Sequence, residues 1–246
     1  MPKPLTYFVS DVHLGSRVAE PLAREKAFMN FLKGIDPART DALYLLGDIF
    51  DFWYEYRYVI PRGYSRVLGA LADLADAGVK VFFFHGNHDL WAKTYFEELG
   101  IRILEQPFVV RIGTQTFCLG HGDALGPGDL VYKFNKWLFT RKWAQTLFSA
   151  LHPWLAFRWA TGWSHRSRTE KPIAYHFKGE DERLYKYCLE FQAHSPVNHF
   201  IFGHYHCRVD MPVCGARLHV LGDWMTAPGW LEFNAETGAL EPNYLK

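Results

Sequence analysis

Five short apolar runs of strand length place the strongest constraint on how this 246-residue chain folds. The runs are rich in Val, Phe, Tyr or Leu, and Gly, Asp, Asn or His residues follow closely after each of them. Continuous apolar character is typical of strands that are buried on both faces. The five runs are Leu5 to Val9, Ala42 to Leu46, Val79 to Phe84, Thr116 to Leu119 and His199 to Phe202.

Helical patterns separate several of these runs. Apolar residues recur at helical spacing from Tyr64 to Ala77, and Gly78 stands where a C-terminal cap belongs. The segment from Glu182 to Ala193 repeats the pattern. Two further strands are predicted, from Arg217 to Leu221 and from Gly229 to Phe233. The order βαβα followed by more strands predicts an α/β sandwich.

The composition is that of one ordinary globular domain, and we expect residues 1–246 to form it. A formal net charge of +1 gives no whole-molecule attraction to nucleic acid or to a membrane. The four cysteines form no CxxC pair, which fits reduced thiols in the cytosol. The N-terminus lacks a signal-peptide core, and no apolar stretch reaches the ~18 to 20 residues that span a bilayer. We therefore expect a cytoplasmic protein that is soluble or lies on a membrane surface.

One region breaks the alternating pattern. Residues 130–169 contain no Asp or Glu, whereas five of the nine Trp residues fall there. The region is also basic. We predict a helical cap insertion at about residues 130–178. The basic residues between 130 and 169 are Lys133, Lys136, Arg141, Lys142, Arg158, Arg166 and Arg168.

Each of the five apolar runs ends in residues of the kinds that bind metals. Ligands at the C-terminal ends of neighbouring strands converge in one crevice, and the adjacent glycines allow a close approach of the backbone. Mixed carboxylate, amide and imidazole ligands suit Mn, Fe or Zn, and a shared carboxylate, for which Asp48 is the natural candidate, bridges two ions. The motifs are Asp11-Val12-His13, Gly47-Asp48-Ile49-Phe50-Asp51, Gly86-Asn87-His88-Asp89, Gly120-His121-Gly122-Asp123 and Gly203-His204-Tyr205-His206.

Any one of these motifs occurs by chance, and a buried histidine is usually just hydrogen-bonded. All five in order, each behind a strand, are far more specific. The set resembles the calcineurin-like metallophosphoesterase superfamily across residues 11–206. The resemblance implies a two-sheet sandwich flanked by helices and two divalent metal ions, expected to be Mn²⁺. It implies Asp11, His13, Asp48 and His206 around one ion, and Asp48, Asn87, His121 and His204 around the other.

The same resemblance implies a catalytic role for His88. In the superfamily this histidine lies near the leaving group as a general acid or stabilises the transition state, with Asp89 orienting it. The alternative is a packing histidine that only supports the ligands. Asp51 and Asp123 are interpreted as residues that support the ligands and do not bind metal.

The cap suggests what the substrate is. Its aromatic and aliphatic side chains, interspersed with Lys and Arg, are typical of a cationic amphipathic surface that rests on anionic lipid headgroups. An ordinary helical lid whose Trp residues pack internally is one alternative. A lid that grips single-stranded nucleic acid is another, although acyl chains account better for so many aliphatic partners, and no nucleic-acid partner is expected.

Four segments carry a closer resemblance to the UDP-2,3-diacylglucosamine pyrophosphohydrolase family of lipid A biosynthesis. They are Ala42 to Trp53, His121 to Asp129 together with Tyr132, Gln145 to Phe148, and Ser164 to Arg168. The resemblance implies substrate contacts near the metal centre and under the cap. The residues implied are Asn87, Trp53, Asp129, Tyr132, and Arg166 with its neighbours Ser167 and Lys171.

The reaction that this resemblance implies is cleavage of the pyrophosphate of UDP-2,3-diacylglucosamine to UMP and 2,3-diacylglucosamine 1-phosphate. The enzyme would be peripheral to the inner leaflet of the cytoplasmic membrane. One position departs from the pattern, because the best-known branch of the family has Arg where this chain has His88. A metallophosphodiesterase acting on another nucleotide or on nucleic acid is the alternative, and a non-catalytic scaffold is a further one that the complete ligand set opposes.

Overall fold

Two mixed β-sheets pack face to face in the computed structural model, which describes residues 3–158, 162 and 175–245. The first sheet has the strand order β11-β10-β1-β2-β3-β4, and the second has the order β5-β6-β7-β9-β8. The first sheet comprises β1 (Leu5–Val9), β2 (Thr40–Leu45), β3 (Lys80–Phe84), β4 (Arg102–Leu104), β10 (Gly229–Asn234) and β11 (Ala239–Tyr244). The second comprises β5 (Phe108–Ile112), β6 (Gln115–Leu119), β7 (His199–Phe202), β8 (Arg208–Val213) and β9 (Ala216–Leu221).

The central strands of each sheet are parallel and the outer ones are mostly antiparallel. In the first sheet β1 to β4 run parallel, while β10 and β11 are antiparallel to their neighbours. In the second, β6, β7 and β9 run parallel between antiparallel β5 and β8. The seven predicted strands are confirmed within two residues at each end. They belong to two sheets, which confirms the two-layer arrangement that the resemblance implied.

Helices cover the outer faces of both sheets, and further helices form the cap. The helices are α1 Pro21–Gly34, α2 Ser65–Asp76, α3 Tyr95–Glu98, α4 Leu130–Phe139, α5 Lys142–Ser149 and α6 Arg183–His194, with residues 153–158 also helical. Helices α1 and α2 pack on the first sheet, and α6 packs on the second. The predicted helices α2 and α6 are confirmed, since each turns a buried apolar stripe towards its sheet.

Aromatic side chains fill the space between the sheets. Phe8 stacks on Tyr44 with ring centroids 5.4 Å apart and on Phe117 of the opposite sheet at 5.7 Å. Phe233 meets Phe117 edge to face at 4.9 Å. Such rings contribute both buried apolar area and specific geometry. The rigid layer they form holds the carboxyl ends of β1, β2 and β3 opposite those of β6 and β7.

Two histidines in the second sheet make its stability depend on pH. His219 Nε2 lies 3.1 Å from His199 Nδ1, and its other nitrogen lies 3.5 Å from the Asp210 carboxylate. Burial lowers the pKa of His219 to about 4; Asp210 opposes this shift, whereas His199 and Arg217 add to it. His219 therefore stays neutral in the folded protein at pH values where it is protonated in the unfolded chain.

We predict that this histidine makes the protein less stable as the pH falls from about 6.5 to about 4. Between these pH values His219 is protonated in the unfolded chain but not in the folded protein, so acid favours unfolding. The contribution of His219 to the free energy of unfolding is therefore present at neutral pH and is lost on acidification. The stability advantage of wild type over His219→Gln should shrink by on the order of 2 kcal/mol between pH 7 and 4.5. Urea unfolding at several pH values measures it, and an advantage independent of pH would contradict the prediction.

Candidate metal centre

The structure brings all seven predicted ligand residues together where the two sheets meet. Each follows the carboxyl end of a parallel strand, three strands belonging to the first sheet and two to the second. The residues are Asp11 and His13 after β1, Asp48 after β2, Asn87 after β3, His121 after β6, and His204 and His206 after β7.

Four of these residues form one group. The ligand atoms of Asp11, His13, Asp48 and His206 all lie within 4.8 Å of one another. Asp11 Oδ1 is 3.4 Å from His206 Nε2 and 3.7 Å from His13 Nε2. These atoms therefore surround a space of the size that one metal ion occupies.

A second group lies beside the first. Asp48 Oδ2 is 3.4 Å from His121 Nε2, which in turn is 3.3 Å from Asn87 Oδ1. Asn87 Oδ1 is also 2.9 Å from His204 Nδ1. Because Asp48 Oδ2 is also 3.7 Å from His13 Nε2 in the first group, it is the atom that the two groups share.

In each of the two buried carboxylates of the centre, only one of the two oxygens accepts a hydrogen bond within the described residues. Asp11 Oδ2 accepts hydrogen bonds from the Ser10 hydroxyl at 2.6 Å and the His204 amide at 3.0 Å, and Asp48 Oδ1 accepts one from the His88 amide at 2.8 Å. Asp11 Oδ1 and Asp48 Oδ2 accept no hydrogen bond from the part of the chain that the structure describes. Leaving a buried anionic oxygen unpaired is costly, and a bound cation would remove that cost. The donor set fits a divalent metal.

The imidazoles are oriented so that one nitrogen faces the centre. His121 Nδ1 lies 2.9 Å from the Leu46 carbonyl, which accepts its N–H and leaves the Nε2 lone pair directed inward. On the far side of the other rings, His13 Nδ1 is 3.7 Å from Asp51 and His206 Nδ1 is 3.7 Å from Asp223. Asp223 was not among the predicted site residues, although it follows β9 in the same Gly-Asp pattern as Asp48.

Charges in the centre are strongly coupled. Burial alone would lower the pKa of His121, but the Asp48 carboxylate outweighs it and raises that pKa to about 10. Burial, followed by the neighbouring His121, lowers the pKa of His204 to about 4. His121, then His88, hold the pKa of Asp48 well below its usual range although burial opposes them. A divalent cation would take the place of the proton on His121, so metal binding releases protons.

The backbone around the ligands is strained. Asp11, His13, Asp48, His204 and His206 all have φ between 48° and 71°, the left-handed region that residues other than Gly rarely adopt. Two glycines make room for the carboxylates. A Cβ atom on Gly86 would lie 2.1 Å from Asp48 Oδ1, and one on Gly203 would lie 2.3 Å from Asp11 Oδ2. No larger residue fits at either position without moving a ligand.

The contacts of His88 and Asp89 differ from the arrangement that the sequence analysis predicted. Both oxygens of buried Asp89 accept backbone N–H groups, from Asp48 and Gly86 on one side and Ile49 and Phe50 on the other. Asp89 therefore holds the loop that carries Asp48 and does not orient His88. The Asp51 carbonyl, 2.9 Å from His88 Nδ1, holds His88 instead.

The predicted substrate residues have different surroundings. Trp53 is completely buried, its indole N–H donates to Glu55 at 3.1 Å, and its ring packs on Phe50 and Phe96. Tyr132 lies beside the centre, with its ring 6.1 Å from that of His204. Asp129 pairs with Arg183 at 2.7 Å on the surface. Arg166, Ser167 and Lys171 lie outside the described residues.

The described part of the predicted cap is helical and packs on the loops that follow β2 and β3. The Tyr54 hydroxyl donates to the Gln145 carbonyl at 2.7 Å, and the Trp91 indole N–H donates to the Phe139 carbonyl at 2.8 Å. Phe148 completes the contact, with its ring 4.7 Å from that of Trp91. These are the loops next to Asp48 and Asn87, so the cap borders the metal centre.

Comparison with known proteins gives similarity over most of the chain. The calcineurin-like phosphoesterase family matches residues 5–208. A UDP-2,3-diacylglucosamine hydrolase of Porphyromonas gingivalis is 38% identical over 256 residues, covering 96% of each chain. One with the same name from Edwardsiella ictaluri is 31% identical over 241 residues, covering 94% of this chain and 89% of the relative.

A solved structure described as a novel archaeal phosphodiesterase shares the fold. It matches with a TM-score of 0.50 and 13% sequence identity, covering 98% of this chain and 99% of the other. At that identity the likeness concerns architecture alone.

We predict that Gly86→Ala weakens metal binding by about 10- to 100-fold, because the added methyl group would displace the carboxylate and backbone of Asp48. Titration of the metal-free protein with Mn²⁺, followed by calorimetry, measures the change. Gly69→Ala in α2 is the matched control, since its methyl group meets no atom within 4 Å in the described structure. Equal Mn²⁺ affinity in Gly86→Ala and wild type would show that Asp48 is not held as described.

Proposed function

The chain belongs to the calcineurin-like phosphoesterase family, and on that basis we propose that it hydrolyses the pyrophosphate of UDP-2,3-diacylglucosamine to UMP and 2,3-diacylglucosamine 1-phosphate. One observation carries the choice of substrate. Similarity to the Porphyromonas gingivalis hydrolase extends over 96% of both chains and therefore includes the cap as well as the metal motifs. The reaction is a step of lipid A biosynthesis.

The centre is proposed to hold two divalent ions. Asp11, His13, Asp48 and His206 would bind one, and Asp48, Asn87, His121 and His204 would bind the other. When bound, such a pair supplies a water-derived nucleophile at neutral pH and neutralises charge on the phosphoryl oxygens. The unpaired oxygens of Asp11 and Asp48 support this assignment. Mn²⁺ is the proposed metal, because carboxylate, amide and imidazole ligands suit it.

His88 is proposed to act on the phosphate itself. Its backbone N–H binds Asp48 and its Nδ1 faces the Asp51 carbonyl, so the ring is fixed from two sides. The ring stands edge to face with His13, with centroids 4.9 Å apart, which places it at the border of the first group of ligands. The Nδ1 proton is donated to the Asp51 carbonyl, so the proposed role falls to Nε2. Tyr132 and Asp129 are proposed to contact the substrate near the base of the cap.

The cap is proposed to bind the cytoplasmic surface of the inner membrane. No helix in the described ranges is long and apolar enough to cross a bilayer. Large apolar side chains nonetheless lie exposed on the cap, among them Leu130, Leu147 and Trp154. Arginines lie over two exposed indoles, Arg141 over Trp137 at 4.4 Å and Arg158 over Trp154 at 5.6 Å. Apolar rings with arginine side chains lying over them suit the boundary between acyl chains and anionic headgroups.

The expected activity is release of UMP from the acylated UDP-sugar in the presence of Mn²⁺. Chromatography or phosphorus NMR identifies the products, and a small phosphodiester serves as the comparison substrate. Asp48→Ala should abolish turnover of both substrates, since it removes the oxygen that both groups of ligands share. Faster turnover of the small diester, or a nucleotide product other than UMP, would refute the lipid substrate and favour another nucleotide phosphodiesterase.

We predict that Leu147→Ser and Trp154→Ser each weaken binding to phosphatidylglycerol vesicles by about 10- to 100-fold, because each removes ~1.5 to 3 kcal/mol of apolar burial. Their side chains are 67% and 62% exposed. Leu22→Ser is the control, because Leu22 is 81% exposed but lies on α1. Vesicle sedimentation measures the partition. Loss of binding equal to that of Leu22→Ser would show that the cap is not the membrane surface.

A further inference from the structure

A buried carboxylate joins the cap to the metal centre. Asp123 lies two residues after His121, and its side chain is 0% exposed. Its oxygens accept from the Tyr132 hydroxyl at 2.7 Å and from the Lys136 ammonium at 2.7 and 2.8 Å. Gln106 donates to the same carboxylate at 2.8 Å. Asp123 is therefore surrounded by donors, two of which come from helix α4 of the cap.

The Asp123 side of this junction is rigid. Gln106 also donates to the Asp123 carbonyl at 2.9 Å, and its side-chain oxygen accepts the Gly122 amide at 2.8 Å. His121, in the same loop, is fixed by its bond to the Leu46 carbonyl. The loop is thus held from both sides whatever the cap does, which makes it a fixed reference point for α4.

Helix α4 has little else to determine its position. None of its residues is buried in the part of the chain that the structure describes, so no apolar core holds it. Its remaining polar contacts lie away from Asp123: Lys133 donates to the Gly126 carbonyl, Asp129, just before the helix, pairs with exposed Arg183, and the Phe139 carbonyl at the C-terminal end accepts from the Trp91 indole. The contact of Lys136 with Asp123 differs from these, because it is charge-assisted and its carboxylate is buried. Charge-assisted hydrogen bonds are stronger than those between neutral groups.

We infer that Lys136 is a positioning residue, which sets the place of the cap and of the Tyr132 hydroxyl relative to the metal centre. The inference rests on the proposed function. Lys136 and Tyr132 are four residues apart on α4, so both side chains leave the same face of the helix and meet Asp123 together. Lys136 supplies the counter-charge that the buried carboxylate requires. It does not belong to the cationic membrane surface.

The arrangement also specifies what Tyr132 offers to a substrate. Its hydroxyl proton is donated to Asp123, and burial, followed by that carboxylate, raises its pKa, so the phenol stays neutral. The oxygen is left with the capacity to accept. A sugar hydroxyl or an amide N–H is the matching group on the substrate, whereas a phosphate oxygen, which carries no proton to donate, is not.

The test compares two substrates in one set of variants. Lys136→Met should raise KM for the acylated UDP-sugar about 10-fold or more, because a small displacement of the cap misplaces the substrate. Turnover of a small phosphodiester and the affinity for Mn²⁺ should stay within about 2-fold, since His121 is held independently of the cap. Lys136→Arg should recover most of the loss by restoring a cation beside Asp123.

Two further variants separate positioning from folding. Asp123→Asn combined with Lys136→Met leaves no unpaired buried charge, and KM should remain high although the protein is stable. Lys80→Met is the matched control, because Lys80 pairs with Asp41 through the same two-oxygen geometry, at 2.9 and 3.1 Å, but on the surface at the start of β3. It should leave both substrates unaffected.

Each outcome decides one question. Unchanged KM in Lys136→Met, an equal loss on both substrates, or a return to wild-type KM in the double variant would overturn the positioning role while the proposed function stands. If the wild-type protein hydrolyses the diester but not the acylated UDP-sugar, the proposed function fails, and the positioning role fails with it.

Discussion

One oxygen atom, Oδ2 of Asp48, lies between the two halves of the metal centre, 3.7 Å from His13 Nε2 and 3.4 Å from His121 Nε2. These histidines follow strands of different sheets. The distance between the sheets therefore determines whether one carboxylate can serve both halves, and the aromatic layer around Phe8 and Phe117 sets that distance. Asp89 holds the loop that carries this carboxylate, because it accepts the backbone N–H groups of Asp48 and Ile49.

The glycines and the left-handed ligand residues serve the same requirement. Asp48 can approach β3 only because Gly86 has no side chain, and Asp11 can approach β7 only because Gly203 has none. The strained φ values of the ligand residues are held in place by the packed strands on either side. Strain and half-satisfied carboxylates together describe a centre that is built for a cation and is less favourable without one.

The predicted strands and the seven candidate ligands, which the structure brings together, share a local signal. The five central strands were recognisable because they are apolar at most positions, and the candidate ligands because each follows such a strand, most of them beside a glycine. Edge strands such as β8 and β11 alternate in burial or carry polar residues and Pro, so no comparable signal marked them. The contacts of Trp53 and Asp89 had no complete local signal either, since Trp53 also packs on Phe96 of α3 and Asp89 also binds the Ile49 amide in the loop after β2.

The role of Lys136 illustrates the same limit. In the sequence it is one more cation in a basic segment, and nothing local distinguishes it from Arg141. Its partner Asp123 comes from the loop after β6, so only the folded chain shows that one cation faces the metal centre while the other covers a tryptophan.

The absence of buried residues in α4 within the described structure has a thermodynamic consequence. A helix held by a few polar contacts, with its apolar side in water, belongs to the least stable part of a molecule and opens without the sheets unfolding. A surface that covers those apolar side chains binds the ordered cap in preference to the open one, and so acts on the cap as a stabilising ligand. In the proposed function, adsorption at a lipid surface and completion of the substrate site would then be two aspects of one equilibrium.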